Sequence, residues 1–262
     1  MKEIHIEETQ IHLWHIDQVD FDLPSLAGEC LSWLSDSELR RYQRYQFDRH
    51  RKQLLLGRVL MRIALSSYDS SIAPASWKFS QNEFGKPAIS AEQNSSSLYF
   101  NLSHSSQKAV LAISRHEDIG VDIELSTKPR RIAEIAQRYF SAAETAAILS
   151  LPVGQQQDRF YDLWTLKEAY IKACGLGLAI PLQQFSYSFP GSGEIAIEFD
   201  ARRDDSQQAW QFWQCDARPD YKLALAVRTG SAKDVEEVVN WQLDDLERIS
   251  ERQTRILGSK SR

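Results

Sequence analysis

From Ile119 to Leu125 apolar residues alternate with Gly120, Asp122 and Glu124. That period of two marks a strand with one buried face. Ile119, Val121, Ile123 and Leu125 line the buried side, which leaves a glycine and two carboxylates on the other. At a rise of roughly 3.3 Å per residue the carboxylates start about 7 Å apart and point the same way. Oxygens so placed suit one hard cation, since Mg²⁺ takes oxygen ligands at about 2.1 Å. About 40 residues on, Trp164-Thr165-Leu166-Lys167-Glu168-Ala169-Tyr170-Ile171-Lys172 reads as a helix. Trp164, Glu168 and Lys172 fall at i, i+4 and i+8 on one stripe. Glu168 offers a third carboxylate and Lys172 a cation one turn away, a set suited to handling phosphate. Trp164 reads as core.

The chain of 262 residues can build one large domain or two smaller ones. With 42% apolar and 26% charged residues, the composition is that of an ordinary soluble protein. A net charge of −5 speaks against indiscriminate nucleic-acid binding. No apolar run approaches the roughly 20 residues that span a bilayer, so no membrane partner is expected. The start, Met1-Lys2-Glu3-Ile4-His5, lacks a signal-peptide stretch. Cys30, Cys174 and Cys215 have no metal-ligand spacing, and free thiols in a reducing cytoplasm are expected.

The pattern predicts a strand or hairpin within the first 16 residues and a helix across Leu31–Leu34. Ser35 with Glu38 fits a capping box. Between Leu39 and Arg62 eight basic residues (Arg40, Arg41, Arg44, Arg49, Arg51, Lys52, Arg58, Arg62) face one acid, Asp48, in a helical pattern. The stretch reads as a partly solvated helix face with some arginines paired to the acid-rich second half, as a holder of phosphates or as a dock for an acidic partner. Strands are predicted at Trp77–Ser80, Leu98–Leu102, Ala109–Ile113 and Ile119–Leu125. Helices follow near Ile132–Tyr139, from the Ser141/Glu144 capping box, and over Asp158–Ala173, stopped by Gly175 and Gly177. Further strands are predicted at Phe185–Phe189, Glu194–Phe199, Trp210–Cys215 and Leu223–Val227, with a polar hairpin loop at 203–208. Val235, Val238, Leu246 and Ile249 suggest an amphipathic helix in the tail. Without regular βαβ spacing the class is α+β. The expected division is residues 1–118, residues 119–228 with the metal-binding acids, and a helical extension 229–262.

Four motifs stand in order: Phe84-Gly85-Lys86-Pro87, Phe100-Asn101-Leu102-Ser103-His104-Ser105, Gly120–Glu124, and Trp164–Lys172 running into Gly175-Leu176-Gly177. Together with the helix Leu56-Gly57-Arg58-Val59-Leu60-Met61-Arg62, they resemble the surfactin-synthetase-type 4′-phosphopantetheinyl transferases over about residues 5 to 228. The resemblance implies a pseudo-dimer of two similar α+β halves, sufficient as a monomer, with coenzyme A in the cleft between them. It implies transfer of the phosphopantetheine arm to a serine of an apo acyl or peptidyl carrier protein, releasing adenosine 3′,5′-bisphosphate. The carrier would serve polyketide, nonribosomal-peptide or fatty-acid synthesis. By the same resemblance Asp122, Glu124 and Glu168 match the Mg²⁺ ligands, and Lys172 a lysine beside the pyrophosphate. Ser103, His104 and Lys86 match phosphate contacts. Arg41 falls near the basic residues for the 3′-phosphate, although Glu38 sits where another cation is expected. Position 123 is Ile, so water must fill any ligand place there.

Three carboxylates with no cation repel, at about 4 kcal/mol for a pair 4 Å apart in an effective dielectric near 20. They are therefore expected to bind a cation or take up a proton, which makes stability at this site metal-dependent. Glu168 is the expected base for the serine proton, provided its surroundings raise it from the usual carboxylate range. Each motif also has a plain reading: a solvated strand face for Asp122 and Glu124, a surface pair for Glu168 and Lys172, a hydrogen-bonded turn for His104. One phosphate site explains them together. Two rivals remain at the level of sequence, a non-catalytic carrier- or coenzyme-A-binding protein and another Mg²⁺-dependent nucleotide hydrolase.

Overall fold

The computed structural model describes residues 3–260, so the outermost residues of the expected ranges 1–118 and 229–262 lie outside the described residues. In chain order the elements are β1 (Gln10–Asp17), α1 (Leu23–Cys30), α2 (Asp36–Arg44), α3 (Asp48–Ser66), β2 (Phe79–Gln81), β3 (Pro87–Ile89), β4 (Tyr99–Ser105), β5 (Lys108–Ser114) and β6 (Ile119–Leu125). Then follow α4 (Ile132–Tyr139), α5 (Ala142–Leu149), α6 (Val153–Cys174), β7 (Phe185–Ser188), β8 (Ala196–Phe199), β9 (Trp210–Ala217), β10 (Tyr221–Arg228), β11 (Glu237–Leu243), β12 (Ile249–Arg252) and β13 (Ile256–Lys260).

Two sheets carry the fold, in the orders β12-β11-β1-β5-β4 and β13-β9-β10-β6. Alternation along their strands builds three cores. Trp14, Ile16, Leu111 and Ile113 face α3, which adds Leu56, Val59, Leu60 and Ile63. Phe212, Ala224 and Ala226 face α6, which adds Leu163, Leu166, Ala169 and Tyr170. The opposite faces meet, with Ile11, Leu13, Val110 and Ala112 of the first sheet packed on Val121, Ile123, Leu223 and Leu225 of the second. The order is helix, sheet, sheet, helix, with one helix-on-sheet unit in each half. This is the two-domain α+β pseudo-dimer that the sequence suggested.

Both capping boxes form: Ser35 accepts from the Glu38 N–H and Ser141 from the Glu144 N–H, and each glutamate bonds back to its serine N–H. The basic stretch 39–62 is two helices broken at Tyr45–Phe47, and Leu31–Trp33 is a single 3-10 turn. Among the described residues its arginines form no ion pair with the second half: Arg58 and Arg62 pair with Glu38, and Arg51 with Asp48. Residues 203–208 do not close a hairpin, because β8 pairs with β7 and β9 with β10.

The expected helix in the tail is absent. Glu237–Leu243 forms β11, parallel to β1, and β12 folds back on it, while β13 joins the other sheet beside β9. Val235, Val238 and Val239 are β-branched and favour extended backbone. The edges of β1 and β9 offered unpaired N–H and C=O groups that the tail satisfies. Val235 and Val238 enter the core between the sheets, and Leu246 and Ile249 pack against the core on the outer face of the first sheet. Residues 235–260 thus bridge the two halves.

Candidate active site

The free edges of the two sheets meet where β4 lies beside β6. On β4, Phe100 is buried toward the α3 core with Leu102 packed against it, while Asn101, Ser103 and Ser105 turn toward β6. On β6, Val121 and Ile123 enter the core between the sheets, which aims Gly120, Asp122 and Glu124 at α6. Gly120 sets how closely α6 approaches. A Cβ there would collide with the Ala169 carbonyl oxygen and come within 2.5 Å of the Ala173 nitrogen. Only glycine lets the helix lie on the strand, and that contact carries Glu168 and Lys172 over the carboxylates.

Asp122 is buried. Its Oδ1 pairs with Lys172 Nζ at 2.6 Å and accepts from Ser103 Oγ at 2.9 Å. Its Oδ2 is buried without a hydrogen-bond partner. Glu124 accepts from Ser105 Oγ at 2.8 Å. Lys172 Nζ also donates to Ser103 Oγ at 2.9 Å and to the Val121 carbonyl at 3.3 Å. The Ser103 hydroxyl is saturated, because it donates to Asp122 and accepts from Lys172 and from the Ile123 N–H at 3.3 Å.

All three carboxyls are shifted upward. Burial is the first cause for Asp122, opposed by Lys172 and by hydrogen bonds from Lys172 and Ser103. Burial and then Asp122 raise Glu124. Glu168 is pushed up to about 7 by burial, with Asp122 and Glu124 adding to the shift and Lys172 opposing it. The three acids therefore sense one another across the seam.

Among the described residues no three His, Cys, Asp or Glu side chains are gathered into a ready metal cluster. Lys172 neutralises Asp122 instead. The donor set still fits a hard cation: it is all oxygen, it carries excess negative charge, and Asp122 Oδ2 has no other use. The three expected ligands thus lie on one seam, without the ready convergence that the strand spacing suggested.

The remaining expected residues divide. His104, at the end of β4, bonds through Nδ1 with Gln53 Nε2 at 3.0 Å. Although the residue keeps exposed surface, crowding of its ring is the first cause that holds the imidazole below its usual range. Lys172, Arg41 and Arg58 add to this, against a backbone hydrogen bond. Arg41 is exposed, and its Nε donates to Tyr45 Oη at 3.3 Å. Glu38, where a cation was expected, pairs with Arg58 at 2.6 Å and Arg62 at 2.7 Å. Burial raises its carboxyl, but Arg62, the Ser35 N–H and Arg58 outweigh this and hold it low. Lys86 sits at the far end of α6, where Nζ donates to the Ala173 carbonyl at 2.8 Å. Trp164 is packed among Phe140, Phe160 and Tyr139, as core.

Glu124 and Ser105 line an opening of about 720 Å³ shared with Arg49, Lys52 and Lys128. A hollow of about 810 Å³ beside α5 contains none of the three carboxylates. The sequence assigned no role to Ser105 or Gln53. Ser105 stood in a quoted motif, and its position two residues after Ser103 was the available signal.

Residues 118–226 match the 4′-phosphopantetheinyl transferase superfamily, and residues 25–116 match the 4′-phosphopantetheinyl transferase N-terminal family. The chain is 37% identical to the 4′-phosphopantetheinyl transferase HetI of a Nostoc species, over 65% of this chain and 70% of the relative. It is 32% identical to a 4′-phosphopantetheinyl transferase of Bacillus subtilis, covering 80% of this chain and 96% of that one. With the transferase Sfp of Bacillus subtilis it shares 33% identity over 74% and 82% of the two chains. No helix among the described residues is long and apolar enough to cross a membrane. The seam thus lies in a chain that belongs to the 4′-phosphopantetheinyl transferase superfamily and is an enzyme of that family.

Proposed function

We propose that the chain is a surfactin-synthetase-type transferase that moves the 4′-phosphopantetheine arm of coenzyme A to a serine of apo acyl or peptidyl carrier proteins. Adenosine 3′,5′-bisphosphate is the by-product. The observation that carries this reading is the seam between β4 and β6, where three carboxyls of raised proton affinity meet Lys172 and where Asp122 Oδ2 is buried with no hydrogen-bond partner among the described residues. Asp122, Glu124 and Glu168 would hold Mg²⁺, which when bound neutralises and polarises the pyrophosphate.

The chain's own groups do the rest. Glu168 takes the proton of the serine hydroxyl, and burial, the first cause that raises its proton affinity, makes it a better acceptor than an exposed glutamate. The serine oxygen bonds to the phosphorus that carries the pantetheine arm, and the bond from that phosphorus to the bridging oxygen breaks. The bridging oxygen leaves as part of the 5′-phosphate of adenosine 3′,5′-bisphosphate, and Lys172 neutralises its new charge. His104 feels the charges of both Lys172 and Arg41, and His104 and Arg41 suit the phosphates of coenzyme A. Lys86 reaches them from the end of α6 only by leaving the Ala173 carbonyl. Ser103 serves this site by holding Asp122 and Lys172, since its hydroxyl has no bond to spare.

The same reading includes a monomer, because both sides of the seam come from one chain, and a cytoplasmic setting, which the three free cysteines suit. The test is the intact mass of purified apo carrier proteins after incubation with coenzyme A and Mg²⁺, with and without EDTA. Gain of one arm, lost with EDTA, is the expected result. No gain on any carrier class would sink the transfer reading in favour of a binding protein. Adenosine bisphosphate released without carrier would indicate a hydrolase.

A further inference from the structure

β6 is the edge of its sheet, and its outward N–H groups would be left unpaired there. β4 is likewise an edge, yet the two strands do not pair through their backbones. Side chains of β4 do the work. The Val121 N–H donates to Asn101 Oδ1 at 3.0 Å, the Ile123 N–H to Ser103 Oγ at 3.3 Å, and the Leu125 N–H to Ser105 Oγ at 3.0 Å. The offset is 20 residues at every rung.

The two serines do more than close the edge. Each also donates its hydroxyl proton to the carboxylate one residue before the N–H that it accepts, Ser103 to Asp122 at 2.9 Å and Ser105 to Glu124 at 2.8 Å. A group held at once through its backbone neighbour and through one carboxylate oxygen loses much of its rotational freedom. For Asp122 the hold falls on Oδ1 and leaves Oδ2 unpartnered. Asn101 provides the comparison within the same row, because its rung ends at Val121 and bonds no carboxylate.

We propose that Ser103 and Ser105 are positioning residues that set the two β6 carboxylates for a divalent cation across the seam between the halves. This rests on the reading that those carboxylates hold Mg²⁺. Partners that orient ligands in this way change metal affinity by about 10–100-fold when removed.

The experiment is calorimetric titration of Mg²⁺ into the protein with coenzyme A present, alongside thermal melting and the dependence of rate on Mg²⁺. Ser105→Ala should weaken Mg²⁺ binding by about 10–100-fold, with the KM for Mg²⁺ rising more than kcat falls. Ser105→Thr keeps the oxygen and should restore the affinity. Asn101→Ala removes a rung without touching a carboxylate, so it should lower the melting temperature and leave Mg²⁺ affinity as in wild type. Ser103→Ala is a second route should Ser105→Ala fail to fold. Unchanged Mg²⁺ affinity in the serine variants, or an equal loss in Asn101→Ala, would overturn the proposal and reduce the row to a structural seam. If wild type itself gave no Mg²⁺ binding, the functional reading would fall together with it.

Discussion

Two lysines of helix α6, five residues apart, pair with carboxylates of other elements, and the two pairs are built in opposite ways. Lys167 and Glu144 are fully buried at 2.9 Å. Lys167 Nζ also donates to the Leu182 and Phe185 carbonyls, and Glu144 accepts from the Ser141 and Tyr187 N–H groups. Lys172 and Asp122, closer at 2.6 Å, leave the lysine part-exposed and one carboxylate oxygen without a partner. The saturated pair ties α5, α6 and β7 together and has nothing left to offer a ligand. The unsaturated pair sits on the seam, beside two further acids. Completeness of hydrogen bonding, together with burial of the lysine, separates the structural pair from the one proposed to act.

The contrast breaks first on rate. Glu168→Gln removes the proposed base beside the incomplete pair and should cost about 10²–10⁴-fold in turnover, with the fold intact by circular dichroism. Lys167→Met should do the reverse. Leaving Glu144 buried and unpaired costs about 3–5 kcal/mol in urea unfolding, while protein still folded at low temperature transfers normally. If Lys167→Met were as stable as wild type, the division between the pairs would fail.

A smaller effect is expected from Gly120→Ala. The new methyl pushes α6 off β6, at about 1–3 kcal/mol of overpacking, and the displacement should lower turnover more than it lowers stability. A variant with wild-type rate would show that the crossing does not set the site.

Smaller again is a pH effect. The folded Glu168 carboxyl titrates near 7, above its ordinary value of 4.5. Between those values the folded state keeps a proton that the unfolded state has lost, so metal-free stability should fall as pH rises through the window. Asp122 and Glu124 are shifted the same way. Mg²⁺ needs the ionised acids, so its stabilisation should grow over the same window, and Glu168→Gln should flatten the trend. A melting-temperature gain from Mg²⁺ that is equal on both sides of the window would contradict this. The smallest change is His104→Ala, expected to weaken coenzyme A binding several-fold, on the order of 1 kcal/mol, as read by calorimetry.

Much of this was legible in the sequence because it was local. Alternation in Ile119–Leu125, the two capping boxes and the Glu168–Lys172 stripe each depend on neighbours along the chain, and each appears as expected. What stayed hidden depends on distant partners. The tail reads as an amphipathic helix until the open edges of β1 and β9 are in view. Arg58 and Arg62 could not be matched with Glu38 without the packing of α2 on α3. The ladder from Ser103 and Ser105 to β6 spans two sheets whose edges are apart in sequence. The carboxylates were read from spacing alone, which shows their common face but not that Lys172 already occupies one oxygen of Asp122.

The most direct test places one variant of each pair in the same reaction. Asp122→Asn and Glu144→Gln are incubated with coenzyme A, Mg²⁺ and an apo carrier protein below both melting temperatures, and carrier mass is followed in time. The account predicts that Glu144→Gln, though less stable, adds the arm at close to the wild-type rate, and that Asp122→Asn, which melts like wild type, adds none. Transfer by Asp122→Asn at the wild-type rate would contradict it.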